Sequence, residues 1–396
     1  MPDLRYARQE QIPDWNQQKL SNAKVLIVGC GALGNEVAKN LSLLGIGSIY
    51  LLDYDTIEKH NLTRSVLFRE SDIGRTKTEV IAQRIQELNP SINVYQINGK
   101  LEQALGRGLL KEMDAVLGCL DSVNARRELN KRCYFSSVPW IDGGISHLGG
   151  NVALFDPKQS DTACYRCKMN SSAWERYNER YSCGLLKDNY REKTLTTTIM
   201  SASIIAAYMS EITVQLLISG KSNFSPGTQL YIPVSQPHGF RTINFSLDEQ
   251  CPDHEDISLD SDFLPIRASL QETPREIALK LELSSDWQME LPFEFLSEFI
   301  CDRCGYVESI RTPVKEVKKK QVSCPLCHAD NRQMNKFFRI NRLSREGDFS
   351  FNSFGICDRE IIKFSDKDGF HFVELFASIS DNVLPKKLPG NYCCNE

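Results

Sequence analysis

Short, continuous apolar runs recur along the first 160 residues, and several end in glycine or aspartate. Ala23 to Gly29 (AKVLIVG), Ile49 to Leu52 and Ala115 to Leu120 have the length and composition of buried parallel strands. A helical pattern of apolar residues follows the first run. Trp140 to Gly144 and Asn151 to Phe155 add two further strand-like runs. This alternation predicts an α/β fold with a doubly wound, mostly parallel sheet.

The longest apolar stretch, Ile199 to Ile218, follows the threonine run Thr196 to Thr198. It contains serine, threonine, glutamate and glutamine, and is therefore too polar for a membrane span of about 20 residues. We expect a buried helix that begins just after the threonines.

Acidic residues crowd the segment from Asp248 to Asp262, and Pro265 follows shortly. We therefore expect a first domain over residues 1–254, an acidic linker over 255–262 and a smaller α+β domain over 263–396. Aromatic and β-branched stretches such as Phe370 to Phe376 support a folded second domain.

Composition narrows the class of protein. The chain has 396 residues, of which 41% are hydrophobic and 25% charged, so it is neither disordered nor collagen-like. Its net charge of -4 gives no global positive field, and we expect no nucleic-acid or membrane partner. The first residues, MPDLRYARQEQIPDW, contain no apolar secretion segment, so we expect a cytoplasmic protein.

Glycines follow the first predicted strand at Gly29, Gly31 and Gly34. Such glycines allow a tight turn whose amide groups, at a helix N-terminus, can bind phosphate. Asp53 ends the second predicted strand, where a carboxylate can accept hydrogen bonds from ribose hydroxyls. These features fit an NAD enzyme as well as an ATP enzyme.

The polar residues that follow favour ATP. Asn61, Arg64 and Lys77 come after Asp53 and Asp55 and are expected near the same strand ends. A triphosphate needs several cations or a metal to offset its charge, whereas a dinucleotide needs few. Asp121 ends another predicted strand and can carry Mg²⁺ through its carboxylate.

Cysteine spacing predicts two structural zinc sites. Cys301 and Cys304 are followed, after 19 residues, by Cys324 and Cys327, which matches a zinc ribbon over 301–327. Disulfides are the competing interpretation, but they are rare in the cytoplasm.

The other predicted zinc site combines two distant pairs. Cys164 and Cys167 supply one pair, and Cys251 and His254 supply the other, which together would close a tetrahedral site. The alternative is that His254 is a solvated linker residue.

Several of these segments also resemble the MoeB/ThiF/ubiquitin-activating enzyme family over residues 5–254. The matching segments are RYARQ (Arg5 to Gln9), GCGALG (Gly29 to Gly34), LLDYDTIEKHNLTR (Leu51 to Arg64), GRTK (Gly74 to Lys77), CLDSVNARRELN (Cys119 to Asn130) and CYRC (Cys164 to Cys167). The resemblance implies a homodimeric or pseudodimeric, Rossmann-like adenylation fold that binds Mg-ATP. It also implies adenylation of the C-terminal glycine of a ubiquitin-like protein, often followed by transfer to a cysteine.

The resemblance assigns a role to each candidate site residue. It makes Asp53 the ribose ligand and Asp121 the magnesium ligand, and it makes Arg8 a residue that reaches the triphosphate across the dimer. The phosphate ligands are Asn61, Arg64 and Lys77.

Cys183 is the first candidate for the acyl-accepting thiol, because this family often places a reactive cysteine between the zinc knuckle and the long helix. Nearby basic residues would favour its thiolate. Cys357 in the second domain is the other candidate, and an ordinary loop cysteine is the alternative interpretation of Cys183.

The sequence thus predicts an activating enzyme whose C-terminal module recruits an E2-like conjugating enzyme or the carrier. Three alternatives stay open: a sulfur-carrier adenylyltransferase, a noncatalytic nucleotide-binding interaction protein and a dehydrogenase.

Overall fold

The computed structural model describes residues 4–169, 196–234, 239–255, 265–317, 321–330 and 332–377. These residues divide into two compact units, one formed by the described residues up to 255 and one by those from 265 onward. The expected linker falls almost entirely on residues 256–264, which lie outside the described residues.

The first unit is built on an eight-stranded sheet in the order β3-β2-β1-β4-β5-β6-β7-β8. The first five strands in that order are parallel, and the last three are antiparallel. In chain order the strands are Lys24–Val28 (β1), Ser48–Asp53 (β2), Asn93–Asn98 (β3), Ala115–Gly118 (β4), Trp140–Ser146 (β5), Gly149–Phe155 (β6), Thr228–Pro233 (β7) and Arg241–Asn244 (β8).

Helices cover both faces of this sheet. They are Gln17–Asn22 (α1), Ala32–Leu44 (α2), Lys77–Leu88 (α3), Leu101–Ala104 (α4), Arg107–Leu110 (α5), Val123–Phe135 (α6), Ile199–Ser219 (α7) and Pro252–Glu255 (α8). Val25 and Ile27 of β1 belong to one buried cluster and Leu26 and Val28 to the other. Burial on both faces explains why this strand is a continuous apolar run.

The helix α7 is long and apolar enough, by composition, to cross a membrane. Thr198 caps it, because the Thr198 side chain accepts a hydrogen bond from Ser201 N. Its inner face, including Ile205 and Met209, is buried in the cluster that contains α2 and β1. It is therefore a core helix of the sheet domain, as the sequence predicts.

The predicted strands β1, β2, β4, β5 and β6 are confirmed. Sequence analysis missed β3, β7 and β8. The β3 segment, NVYQIN, places polar residues between apolar ones, and all four residues of the edge strand β8 are exposed, so neither forms a continuous apolar run.

The second unit contains a six-stranded sheet in the order β11-β10-β13-β14-β9, with β12 also paired to β10. Its helix, Pro274–Lys280 (α9), begins with a capping box between Thr273 and Glu276. The strands are Ile266–Ser269 (β9), Gln288–Cys301 (β10), Val307–Pro313 (β11), Arg332–Asn341 (β12), Glu360–Asp366 (β13) and Gly369–Phe376 (β14).

Candidate functional site

The glycine loop between β1 and α2 is shaped by close backbone contacts. Gly29 has φ +95°, and a Cβ there would lie 2.5 Å from the carbonyl oxygen of Cys119. A Cβ on Gly34 would lie 2.0 Å from the carbonyl oxygen of Gly29. At Gly31, by contrast, a Cβ would meet nothing within 4 Å. The loop thus opens at the N-terminus of α2, where unpaired amide groups can bind an anion.

Asp53, at the carboxyl end of β2, braces this loop. Its Oδ2 accepts a hydrogen bond from Cys30 N at 2.6 Å, and its Oδ1 accepts one from Asp55 N at 2.8 Å. The side chain is buried at 8% exposure. A carboxylate offers about four acceptor positions, so Asp53 retains capacity for ribose hydroxyls.

Lys77 is held beside the same strand end. The chain after β2 pairs back on the segment before α3, with Thr56 bridged to Thr76. Lys77 Nζ donates to Asp55 Oδ2 at 2.7 Å. Burial alone would lower the pKa of Lys77, but the Asp53 charge and the Asp55 hydrogen bond outweigh it and raise the pKa. The site therefore holds a protonated ammonium at neutral pH.

Asp121 lies in the turn after β4, and its side chain is exposed. The charge of Asp121 also acts on Tyr54, which directly follows β2. Burial raises the pKa of the Tyr54 hydroxyl, and three carboxylates raise it further: Asp55, Asp121 and Asp53. Since β1 separates β2 from β4 in the sheet, these carboxylates flank the crevice where parallel α/β sheets bind ligands. Carboxylate oxygens are suitable donors for Mg²⁺.

Asn61 and Arg64 lie on the connection between β2 and α3, and both side chains bond within their own turn. Asn61 Oδ1 accepts from Glu58 N at 2.9 Å, and Arg64 Nη1 donates to the carbonyl oxygen of His60 at 2.7 Å. The structure thus joins Asp53, Asp55 and Lys77 through hydrogen bonds and places Asp121 in the turn after β4. The side chains of Asn61 and Arg64 form hydrogen bonds within their own turn instead.

Arg126 is a site residue that sequence reasoning missed. Its Nε donates to Asp142 Oδ1 at 2.7 Å, and its Nη2 donates to the carbonyl oxygens of Leu120 and Gly143. Burial would lower the pKa of Arg126, but the Asp142 charge outweighs it and raises the pKa. Arg126 thereby fixes the Asp121 turn to β5. Its position in a charged helical segment gave no signal of this burial.

The first predicted zinc set converges. Cys164 Sγ lies 3.7 Å from both Cys167 Sγ and Cys251 Sγ, and Cys167 Sγ lies 3.3 Å from His254 Nε2. Thiolates that share one zinc at about 2.3 Å lie about 3.8 Å apart in a tetrahedron. The residues therefore fit a closed zinc site, and His254 belongs to it.

The second set also converges. Cys301 Sγ lies 3.5 Å from Cys327 Sγ, and Cys304 Sγ lies 3.7 Å from Cys324 Sγ. Desolvation would raise the pKa of Cys324, but backbone hydrogen bonds from Cys327 and Leu326 contribute to lowering it to about 6. Thiolates are the form that binds zinc. All four ligand atoms in each set lie within 4.8 Å of one another.

The remaining cysteines differ in exposure. Cys30 and Cys133 are fully buried, and burial raises the pKa of these thiols and of Cys119. Cys357 is partly buried, and its Sγ donates to Glu360 Oε2 over 3.8 Å. Cys183 lies outside the described residues.

Arg8 lies between two short 3₁₀ turns, Leu4–Tyr6 and Gln9–Gln11, near the N-terminus. Its side chain is exposed. It forms no ion pair within the described part of the chain.

The sheet order and the glycine loop are those of a Rossmann-like nucleotide-binding domain. Residues 5–253 match the ThiF family model, and the chain belongs to the ThiF family. The family spans adenylyltransferases for sulfur carriers and activators of ubiquitin-like proteins.

Two curated relatives illustrate that range. Molybdopterin-synthase adenylyltransferase of Escherichia coli is 35% identical over 167 residues, which are 41% of this chain and 67% of that protein. Ubiquitin-activating enzyme E1 1 of Candida albicans is 32% identical over 157 residues, which are 37% of this chain and 15% of that protein.

Among solved structures, Escherichia coli MccB with MccA-N7isoASN is similar. It has a TM-score of 0.51 and 27% identity, and the match covers 62% of this chain and 74% of that one.

Proposed function

We propose that the protein is an activating enzyme that uses Mg-ATP to adenylate the C-terminal glycine of a ubiquitin-like protein. The observation that carries the proposal is the hydrogen-bonded set of Asp53, Asp55 and Lys77 beside the glycine loop, with Asp121 in the turn after the neighbouring strand β4. A triphosphate needs several cations or a metal to offset its negative charge, whereas a dinucleotide needs few. The buried, protonated Lys77 at the ends of these strands therefore favours ATP over a dinucleotide.

The chemistry needs alignment and charge neutralisation, since a carboxylate is already a nucleophile at neutral pH. The glycine carboxylate attacks the α-phosphorus of ATP, the bond to the bridging oxygen breaks, and pyrophosphate leaves. Lys77 offsets the charge of the leaving pyrophosphate, and Asp121 would hold a magnesium ion that offsets the remaining phosphate charge. The open face at Gly31 admits the phosphates.

We further propose that the enzyme acts as a homodimer in which Arg8 of each protomer reaches the other protomer's triphosphate. The outer face of α7 supports an interface, because Met200, Ile204 and Tyr208 recur at four-residue spacing with exposures of 54%, 36% and 37%. An exposed apolar stripe of this kind marks a contact surface.

In this proposal the acyl group then passes to the Cys183 thiolate, which attacks the acyl carbon and releases AMP. The second unit recruits an E2-like conjugating enzyme or the carrier. Its zinc ribbon supports that role by exposing Tyr306, Val307 and Leu326 at 38%, 51% and 66%. We place the protein in the cytoplasm, where reducing conditions keep zinc-binding thiols reduced.

The test of transfer is a nonreducing gel after incubation with Mg-ATP and a glycine-ending carrier. Cys183→Ser should lose a thiol-sensitive adduct while still releasing pyrophosphate, and Cys357→Ser is the matched control that should retain it. An adduct that survives Cys183→Ser and disappears in Cys357→Ser would move the nucleophile to Cys357.

A sulfur-carrier adenylyltransferase is the second candidate. The observation that favours it is the 35% identity to the molybdopterin-synthase adenylyltransferase, with 67% of that protein covered. Pyrophosphate release with no protein adduct in any cysteine variant would select this candidate.

A further inference from the structure

Tyr6 anchors the N-terminal segment that carries Arg8. It is buried at 7% exposure, and its Oη accepts a hydrogen bond from Asn89 Nδ2 at 2.7 Å. Its ring lies on Gly45, where a Cβ would come within 2.4 Å of the ring carbon Cζ. Gly45 has φ +79°, a conformation that favours glycine. Arg5 adds a bond from Nη1 to the carbonyl oxygen of Leu88 at 3.0 Å.

This anchor lies at the end of the strands that is opposite the nucleotide site. Gly45 precedes β2, whereas Asp53 ends it, and the strand's six residues span about 20 Å. Asn89 follows α3, whereas Lys77 begins it, and the helix's 12 residues span about 18 Å. Both measures place Tyr6 far from its own chain's Asp53 and Lys77.

Arg8 therefore starts from the end of the strands opposite its own chain's Asp53 and Lys77. The chain on either side of it is wound into the short 3₁₀ turns Leu4–Tyr6 and Gln9–Gln11 and is not extended. In the proposed dimer, a triphosphate bound to the other copy is the contact that an Arg8 anchored there can make.

We propose that Tyr6, seated on Gly45 and held by Asn89, is the positioning residue that aims Arg8 at the nucleotide of the partner protomer. This inference rests on the proposed function, in which Arg8 acts across the dimer. Tyr6 itself touches no substrate. By ordering the segment beforehand, it removes the entropy cost that a flexible arginine would incur on meeting the triphosphate.

The test uses full-length mixed dimers with two affinity tags, and calorimetric binding of Mg²⁺ with α,β-methylene ATP. Tyr6→Ala homodimers should bind the analogue at least about tenfold more weakly than wild type. A dimer of one Tyr6→Ala chain and one Lys77→Ala chain should regain about one tight site, because the Lys77→Ala chain supplies an anchored arm to the intact site of its partner.

A purely structural role for Tyr6 in its own chain gives the opposite result, namely no tight site in the mixed dimer. Tyr6→Phe keeps the ring on Gly45, and Asn89 still donates to the carbonyl oxygen of Ser42 at 3.1 Å, so this variant should retain most of the affinity. Leu4→Ala, at a position 80% exposed, is the control for a change in the same turn.

Mixed dimers of Arg8→Ala and Lys77→Ala separate this inference from the function on which it rests. Recovery there, without recovery in the Tyr6→Ala mixture, overturns the anchor alone. No recovery in either mixture, or full affinity in Arg8→Ala homodimers, overturns action across the dimer and the anchor with it.

Discussion

Lys77 Nζ lies 2.7 Å from Asp55 Oδ2, so the lysine that begins α3 is held by a carboxylate just beyond the end of β2. The pair fixes the ammonium before nucleotide arrives. Because Asp53 and Asp55 raise the pKa of Lys77 against the effect of burial, the positive charge is permanent at physiological pH. A charged, positioned ammonium is therefore available to a phosphate group, and a bound Mg²⁺ would offset the surrounding carboxylates.

Lys77→Met should lower the rate of adenylation by about a hundredfold, because it removes the buried charge that offsets the pyrophosphate. Lys77→Arg keeps the charge but not its compact shape, and it should recover only part of the rate. Pyrophosphate exchange measures both. Equal loss in the two variants would show that charge at this position is not what matters.

The Lys77 pair also predicts a pH dependence of stability. The folded-state pKa lies above the unfolded value of about 10.4, so the contribution is fully present below that value. It is lost as the pH rises through the folded-state pKa. The difference in Tm between wild type and Lys77→Met should stay constant from about pH 7 to 9 and shrink in more alkaline buffer. A difference that shrinks already below pH 9 would contradict the raised pKa.

Asp121→Ala should abolish magnesium-dependent adenylation, with a loss of about a hundredfold or more, and should leave the fold intact because the side chain is exposed. Asp121→Asn keeps the shape and loses the charge, and it should be nearly as inactive. A magnesium titration of pyrophosphate exchange is the measurement. Activity that persists in Asp121→Ala would remove this residue from the site.

Arg126→Met should destabilise the protein by about 3 to 5 kcal/mol, because it leaves the buried Asp142 carboxylate without its partner. Lys24→Met is the control. It breaks a partly exposed pair with Glu112, at 40% and 31% side-chain exposure, and should cost at most about 1 kcal/mol. Denaturant unfolding compares the two, and equal costs would contradict the bracing role of Arg126.

Zinc removal should lower thermal stability more than it alters chemistry at the nucleotide, since closed sites offer no position for a reactant. Cys164→Ser should reproduce that loss in the first unit, and Cys304→Ser should leave that unit's unfolding unchanged. Scanning calorimetry with and without a chelator is the test. Loss of pyrophosphate exchange without any change in stability would show that zinc takes part in the reaction.

Much of the sheet was predictable, because β1, β2 and β4 are buried on both faces and therefore appear as continuous apolar runs. The β3 strand, NVYQIN, lies at the sheet's edge and has polar residues at both ends and one between its apolar residues, so the same criterion failed. Spacing alone left the first zinc site open, since Cys167 and Cys251 are separated by a long stretch of chain. In the folded chain, Cys167 and Cys251 lie in the same cluster of ligands.

Other parts of the site depend on packing that no local pattern records. Nothing in the sequence distinguishes Tyr54 or Arg126 from other polar residues. The tertiary structure exposes Tyr54 to the charges of three carboxylates and buries Arg126. Tyr6 lies two residues before Arg8, but its ring packs on Gly45, which is far from it in the sequence. No local pattern indicates that contact.

ATP–pyrophosphate exchange with a panel of ubiquitin-like proteins that end in glycine tests the proposed adenylation itself. Each is paired with a version lacking that glycine. We expect magnesium-dependent exchange with at least one intact protein, its loss with the truncated version and its loss in Asp121→Ala. Exchange that ignores the terminal glycine, or tight Mg-ATP binding with no exchange across the panel, would contradict an adenylating role toward such proteins.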